Sequence, residues 1–483
     1  MKFNFKIIIG LLGLLSAING TFMFLCLPFS IYYSEDWKSI LYSGLITLGS
    51  GLVLWKITNS TENKELKKRD GYLIVTLGWL MMSFFGTLPY LVSGSIPHFT
   101  DAFFETISGY TTTGASILTD IESMPKGILF WRSLTQWIGG MGIIVLTVAI
   151  LPILGIGGMQ LFGAESPGIS PDKLKPRIKD TAKRLWLIYL GLTLLELVLL
   201  MMGDMSFFHA INHSLTTMAT GGFSTHQDSI AYYQSPYIQY VITFFMFMAG
   251  LNFTMTYFGM KGKFKKVWDN EEFRAYLILT CLFAILVSFA LYLFSDNDYE
   301  TSFRNSLFQV VSVITTTGYI TADYTSWMPF LTVLFFILMF MGGSSGSTAG
   351  GVKVVRHVIL FKNSFLEMKR QMHPSAVIPV RLNRKAVNRD ITFHVLAFMM
   401  IYFSIFAAGC IAISMTGVEF ETAIGAVATS LGNIGPGLGS VGPVYNFYHI
   451  PETAKWMLSF LMLLGRLELF TVLMLFTRFY WKS

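Results

Sequence analysis

Four short glycine motifs recur along the chain. They are Thr-Thr-Thr-Gly-Ala at 111–115, Ala-Thr-Gly-Gly-Phe at 219–223, Thr-Thr-Thr-Gly-Tyr at 315–319 and Gly-Asn-Ile-Gly-Pro-Gly at 432–437. Aligned on Gly114, Gly222, Gly318 and Gly435, every copy has a hydroxyl six residues earlier: Ser108, Thr216, Ser312 and Thr429. Twelve residues earlier every copy has a small residue, Ala102, Ala210, Ser306 or Ala423. The glycines are 108, 96 and 117 residues apart, which reads as a fourfold internal repeat. Each motif follows a segment (101–113, 207–221, 302–317, 420–434) that is apolar enough for a membrane but too short to cross one.

The chemistry open to such a unit is narrow. Irregular backbone at membrane depth is tolerated only where it lines a water-filled path or is buried in protein. A half-helix entering from outside points its partially negative C-terminal end at the membrane centre, which favours a cation. The turn leaves carbonyls free, and glycine lets a carbonyl swing where a Cβ would resist. Four turns around one axis make rings of carbonyl oxygens that can replace a cation's hydration shell. The candidate ligand backbone is Thr112, Thr113 and Gly114; Thr220, Gly221 and Gly222; Thr316, Thr317 and Gly318; Asn433, Ile434 and Gly435. No Asp or Glu stands among them, so neutral dipoles would do the binding, which suits a monovalent ion better than Ca²⁺ or Mg²⁺. The bland alternative is glycine- and threonine-rich packing, the usual meaning of one isolated motif; four aligned copies argue against it.

A second stretch carries chemistry of another kind. Residues 342–351 (Gly342, Gly343, Ser344, Ser345, Gly346, Ser347, Thr348, Ala349, Gly350, Gly351) interrupt an apolar span. Five glycines in ten residues remove too much helix propensity for a small-residue packing face alone. The segment is expected to unwind inside the membrane below the four turns, where Ser344, Ser345, Ser347 and Thr348 can offer hydroxyls to ions or water. Arg466 stands mid-span, where a charge is costly and usually functional. Glu468, two residues on, lies on a different helical face, so Arg466 is expected to reach the loop carbonyls or the ion path. Glu196, in the fifth span, has no role assigned by its surroundings in sequence. The eight His show no metal spacing, and His209 and His213, four apart, lack the acidic partner of a metalloprotease motif. No glycine-rich phosphate loop follows a strand, so no nucleotide is expected on this chain. No acid–base or nucleophile pair suggests an enzyme.

The elements that must hold these residues follow from composition. The 483 residues are 53% hydrophobic and only 13% charged, with 43 Phe and a mean hydropathy of +0.56. A soluble domain carries about 25% charged residues, so the surroundings of this chain must be lipid. Ten apolar spans lie near 7–29, 39–57, 71–95, 127–157, 185–203, 235–260, 275–294, 327–361, 391–415 and 456–477. The first lacks a convincing cleavage site and reads as a retained helix rather than a signal peptide. Of these spans, only 327–361 is expected to be broken. The loops at 56–70, 158–184, 261–274 and 353–390, with both termini, hold 29 of the 35 Lys and Arg; the opposite loops hold five. By the positive-inside rule both termini are cytoplasmic. The pI near 9.1 is thus a topology signal and needs no nucleic acid. Trp37, Trp55, Trp131, Trp186, Trp327, Trp456 and Trp481 near span ends suit interfacial belts, and Cys26, Cys281 and Cys410 read as unpaired residues within apolar runs. The expected fold is an all-α polytopic membrane protein. An N-terminal transmembrane hairpin (1–60) precedes four pore repeats (61–158, 159–262, 263–362, 363–483), each helix, re-entrant half-helix, filter and helix.

Together the motifs resemble the Trk/Ktr/HKT superfamily of potassium transport proteins, and within it the TrkH/TrkG branch. The resemblance covers the whole chain. It rests on the four glycine turns, Trp137-Ile-Gly-Gly-Met-Gly142, the Gly163-Ala-Glu-Ser-Pro-Gly168 loop, the 342–351 segment and Gly465-Arg-Leu-Glu-Leu-Phe470, and the extra N-terminal hairpin fits that branch. The second and fourth turns depart from Thr-Thr-Thr-Gly, so the pore is expected to be pseudo-fourfold at best. The resemblance implies K⁺ uptake across a bacterial inner membrane, a gate formed by the 342–351 loop with Arg466, a homodimer, and a TrkA-like nucleotide-binding ring docking beneath. The competing reading is a K⁺/H⁺ or K⁺/Na⁺ symporter; paired broken helices in inverted halves, the mark of many such carriers, are not evident.

Overall fold

A computed structural model describes residues 4–58, 68–150, 178–295 and 298–482, so the Gly163–Gly168 loop and the inner end of the 127–157 span lie outside the described residues. Among the described residues the regular structure is all helical apart from a two-residue-per-strand hairpin, Arg381–Leu382 against Lys385–Ala386. Two long helices open it, Phe5–Tyr32 and Trp37–Thr58. They pack along a small-residue seam. A Cβ on Gly13 would lie 2.7 Å from the Gly51 carbonyl oxygen, and one on Gly51 would run into the Ala17 backbone. Without a hydrophobic force between helices in lipid, such close approach supplies the contact.

Four half-helices then recur: Phe99–Tyr110, Phe207–Met218, Tyr299–Ile314 and Phe420–Gly432. Three carry an acid in the first turn, Asp101, Glu300 and Glu421, where the helix dipole favours negative charge. The aligned small residues Ala102, Ala210, Ser306 and Ala423 are fully buried, because neighbouring helices press closest there. Ser306 Oγ uses that proximity to donate to the Ala284 carbonyl at 2.6 Å.

The spans flanking the half-helices differ in kind. Leading helices are long and apolar: Arg69–Ser93, Lys183–Met202, Glu271–Phe294 and Arg389–Ser414. They turn large residues outward, as Ile278, Ile285 and Phe289 do on the third, toward lipid. Following helices are broken in all four units, where the sequence reading expected one break. Lys126–Ile150 has non-helical backbone at Gly142 (φ 67°, ψ 135°). Pro236–Ala249 and Phe253–Met260 meet at 110°, as do Glu452–Arg466 and Phe470–Phe476. Pro329–Leu338 stops ahead of the 342–351 loop, and helix resumes at Val354–Met372. The first missed break closes the glycine-rich run Gly139-Gly140-Met141-Gly142; the other two sit at 250–252 and at 467–469, where tertiary contacts bend the chain. Trp131 is a second correction. It is fully buried, its Nε1 donating to the Gly86 carbonyl at 3.0 Å, rather than interfacial. Cys26 is buried, Cys281 exposed and Cys410 between, all unpaired.

Candidate functional site: four turns around one axis and the loop beneath

The four turns share one backbone conformation. Each aligned glycine has positive φ: 80° at Gly114, 76° at Gly222, 78° at Gly318 and 108° at Gly435. Two residues earlier a non-glycine is also left-handed: Thr112 at 52°, Thr220 at 54°, Thr316 at 57° and Asn433 at 53°. A β-branched residue there is a true outlier, costing about 1–3 kcal/mol unless the surroundings impose it. Asn tolerates the conformation better, so the departure at the fourth turn suits its place. The N–H just before each aligned glycine closes on the carbonyl of the aligned hydroxyl residue: Thr113 on Ser108 (2.9 Å), Gly221 on Thr216 (2.9 Å), Thr317 on Ser312 (2.9 Å) and Ile434 on Thr429 (3.0 Å). Two of those hydroxyls also tie down their own turn, Ser312 Oγ to the Tyr319 carbonyl and Thr429 Oγ1 to the Gly435 carbonyl, each at 2.7 Å.

The turns also meet one another in a closed cycle. A Cβ built on Gly114 would run onto the Gly221 carbonyl oxygen, one on Gly222 onto that of Thr317, and one on Gly318 onto that of Ile434. One on Gly435 would lie 2.9 Å from the Thr113 oxygen, which closes the ring. In every unit the glycine therefore abuts the carbonyl just before the next unit's glycine, and a side chain at any of the four would crowd those oxygens. All four glycines line one cavity of about 70 Å³, open on one side and bordered by Arg132, His226 and Asn446. Behind the ring Glu105 is fully buried. It accepts from Arg132 Nε (2.6 Å), the Ile117 N–H (2.9 Å) and Ser116 Oγ (3.0 Å). Arg132 also donates to the Ser224 carbonyl at 2.9 Å and lies over the Phe223 ring, so one charge pair bridges the first and second units. His209 and His213 staple the second half-helix to its outer loop, through Thr225 Oγ1 (2.7 Å) and Ser224 Oγ (3.0 Å). His226 stacks on His209, and burial holds its pKa below the ordinary value.

Beneath the turns, the 342–351 loop touches the second, third and fourth units directly and the first through Arg466. The Ser344 N–H donates to the Gly250 carbonyl (2.8 Å), and Thr348 Oγ1 reaches the carbonyls of Met218 (3.0 Å) and Ala249 (3.2 Å). The Gly350 N–H donates to Thr316 Oγ1 at 2.6 Å, which joins the loop directly to the third turn. A Cβ on Gly350 would lie 2.7 Å from the Asn433 side chain of the fourth. The first unit is reached through Arg466. Its guanidinium donates to the loop carbonyl of Thr348 (2.7 Å) and to the carbonyls of Gly139 and Gly140. Glu468 instead takes Arg356, at the start of the helix leaving the loop. Both Glu468 (φ 55°) and Leu469 (φ 30°) are left-handed, and that is where the last span bends.

The same architecture recurs among known proteins. The family model for TrkH, described as a cation transport protein, matches residues 39–483. This chain belongs to the TrkH family. It is 42% identical to the Trk system potassium uptake protein TrkH of Salmonella typhimurium, covering 99% of this chain and 100% of that protein. The TrkG protein of Escherichia coli is 35% identical over 88% of each. The crystal structure of the potassium transporter TrkH from Vibrio parahaemolyticus superimposes with a TM-score of 0.89 at 37% identity, covering 99% of this chain and 100% of that one.

The structure of this TrkH-family chain also brings in residues that sequence reasoning passed over. Asn252 and Glu272 hold Ser345 from both sides: Asn252 Nδ2 donates to its carbonyl and Glu272 Oε1 accepts its N–H, each at 2.5 Å. The pair Glu105–Arg132 was legible only as one charge in an outer loop and one in a half-helix. Gln136 gave no signal. The Asn433 amide donates to Thr113 Oγ1 and to the Met462 carbonyl, both at 2.9 Å, and so links the fourth turn to the first. Its position in the motif was visible; its partners were not. Glu196 is fully buried on the fifth span.

Proposed function

We propose that this chain carries K⁺ inward across a bacterial cytoplasmic membrane through a channel-like pore, as a Trk-type uptake protein with both termini in the cytoplasm. The observation that carries the reading is the closed cycle in which each aligned glycine abuts the carbonyl before the next, beneath a cavity lined by all four. In this reading the backbone of 112–114, 220–222, 316–318 and 433–435 binds K⁺, one quarter from each of the repeats 61–158, 159–262, 263–362 and 363–483. The 342–351 loop and Arg466 form the gate below it. Its hydrogen bonds to every unit favour a closed state, and a guanidinium beneath the filter raises the barrier for a cation.

Opening is assigned to a cytoplasmic TrkA-like nucleotide-binding ring, with no nucleotide on this chain, and the assembly is a homodimer. The helix Val354–Met372 supports an interface there. Phe361, Phe365, Met368 and Met372 stand exposed at helical spacing, on the helix that leaves the gate loop. The name of the Salmonella relative supports potassium as the ion.

The test is a reversal potential. Purified protein in liposomes with K⁺ on one side and Na⁺ on the other should reverse near the K⁺ equilibrium value. An unselective reversal would overturn the filter. Uptake that strictly required a pH or Na⁺ gradient would favour symport instead.

A further inference from the structure

Two of the four turns end on the same side-chain pair. Thr111 and Thr113 hydroxyls lie 2.8 Å apart in the first unit, and Thr315 and Thr317 lie 2.8 Å apart in the third. The second unit has Ala219 and Gly221 in those places and can form no such pair. The space that a side chain at 221 would fill is occupied from another unit. A Cβ on Gly221 would run into the Gln136 side chain, with Nε2 at 2.7 Å and the rest of the amide nearer still. Gln136 is fully buried on the helix Lys126–Ile150, in the first unit.

The Gln136 amide is fully engaged with this one turn. Nε2 donates to the Gly221 carbonyl at 2.6 Å, and Oε1 accepts the Phe223 N–H at 3.0 Å. The two bonds bracket Gly222, the aligned glycine. They also assign the amide's orientation, since one partner can only accept and the other only donate. The Gly221 oxygen is the one that Gly114 abuts, so Gln136 acts at the link between the first and second units. Among the described residues no side chain donates to the equivalent carbonyls of Thr113, Thr317 and Ile434.

We infer that Gln136 is a positioning residue for ion selectivity, standing in for the threonine that the second turn lacks. The inference rests on the filter reading above. A glycine at 221 leaves this quarter with the freest backbone of the four, and the amide removes that freedom. A carbonyl has two lone pairs, so the Gly221 oxygen can accept from Gln136 and still face an ion, but in one orientation. Selectivity that depends on the number and orientation of carbonyl dipoles then depends on Gln136, although its side chain need not touch the ion.

The experiment uses full-length protein in liposomes, with folding checked by size-exclusion chromatography and selectivity read as the K⁺/Na⁺ reversal potential. Gln136→Leu keeps most of the volume and loses both bonds, and the K⁺/Na⁺ permeability ratio is expected to fall about fivefold to tenfold, the scale of one or two lost hydrogen bonds. Gly221→Thr alone should lose flux, because the new side chain collides with Gln136. Gly221→Thr combined with Gln136→Ala should recover flux and selectivity relative to either single variant, since it gives the second turn the threonine that the first and third turns carry just before the aligned glycine. A merely structural glutamine would not be rescued by a threonine in another unit. Gly114→Ser serves as the control for the reading beneath. If Gly114→Ser lowers the ratio while folded Gln136→Leu keeps it, this inference fails and the filter stands. If both keep it, the filter itself is wrong. Should Gln136→Leu not fold, the double variant decides: folded but unselective protein overturns the assignment, and restored selectivity supports it.

Discussion

At the scale of single residues, the aligned glycines are the most exposed to test. Each has positive φ and abuts a neighbour's carbonyl oxygen, so a side chain is opposed twice, by backbone conformation and by space. Gly114→Ser, and likewise the serine variants of Gly222, Gly318 and Gly435, should weaken discrimination against Na⁺. The effect should be smallest at Gly435, where a Cβ has most room, at 2.9 Å from the nearest oxygen. Reversal potentials matching wild type in all four would remove the ring. Arg466 makes the opposite prediction. Its removal frees the carbonyls of Thr348, Gly139 and Gly140. Hydrogen bonds to a charged group contribute about 1.5–3 kcal/mol each, so Arg466→Ala should raise basal Rb⁺ flux by about tenfold or more, with selectivity largely kept. Flux that stays at the wild-type level would assign Arg466 to packing.

At the scale of elements, the proposed gate at 342–351 and the N-terminal hairpin can be told apart by what their disruption changes. Deleting part of 344–350 removes the contacts of Ser344, Ser345 and Thr348 with the second unit and with Glu272. Basal flux without any cytoplasmic partner should rise, and the reversal potential should hold, because the turns above keep their own bonds. Abolished flux in a folded deletion would place the gate elsewhere. Asn252→Ala should act in the same direction more weakly, since it frees one carbonyl of the loop. The hairpin is expected to answer differently. A valine at Gly51 would collide with the Ala17 backbone and splay the two first helices. Gly51→Val should therefore lower thermal stability in detergent while leaving K⁺/Na⁺ selectivity of the folded fraction unchanged. A selectivity change there would mean that the hairpin supports the pore.

For the whole molecule the governing quantity is the membrane potential. Moving one K⁺ inward gains about 2.3 kcal/mol per 100 mV, enough to concentrate the ion with no nucleotide on this chain. Liposomes holding the protein and given only a cytoplasm-negative potential should accumulate Rb⁺. Accumulation that appears only with an added H⁺ or Na⁺ gradient would replace the channel reading with symport.

What the sequence by itself determined is whatever repeats or is set by the surrounding lipid. Too few charges for a wet surface required a membrane chain. The spacing of Gly114, Gly222, Gly318 and Gly435 placed four equivalent turns, because only glycine accepts that backbone without strain. The resemblance in these motifs pointed to the family. The glycine-rich 342–351 break was legible for the same reason, since local propensity alone forbids helix there. Tertiary structure decided the rest. The left-handed threonines at 112, 220 and 316 run against their own preference and exist only because packing imposes them. The break at Gly142 had a local signal in Gly139, Gly140 and Gly142 that the sequence reading used only as a family motif; those at 250–252 and 467–469 have no strong local signal, and bend where a neighbouring unit presses or an ion pair holds them. Gln136, Glu272 and Asn252 are ordinary residues in apolar helices or beside them. Their roles come from partners tens of residues away, and a contact between distant segments leaves no mark on the order of either one.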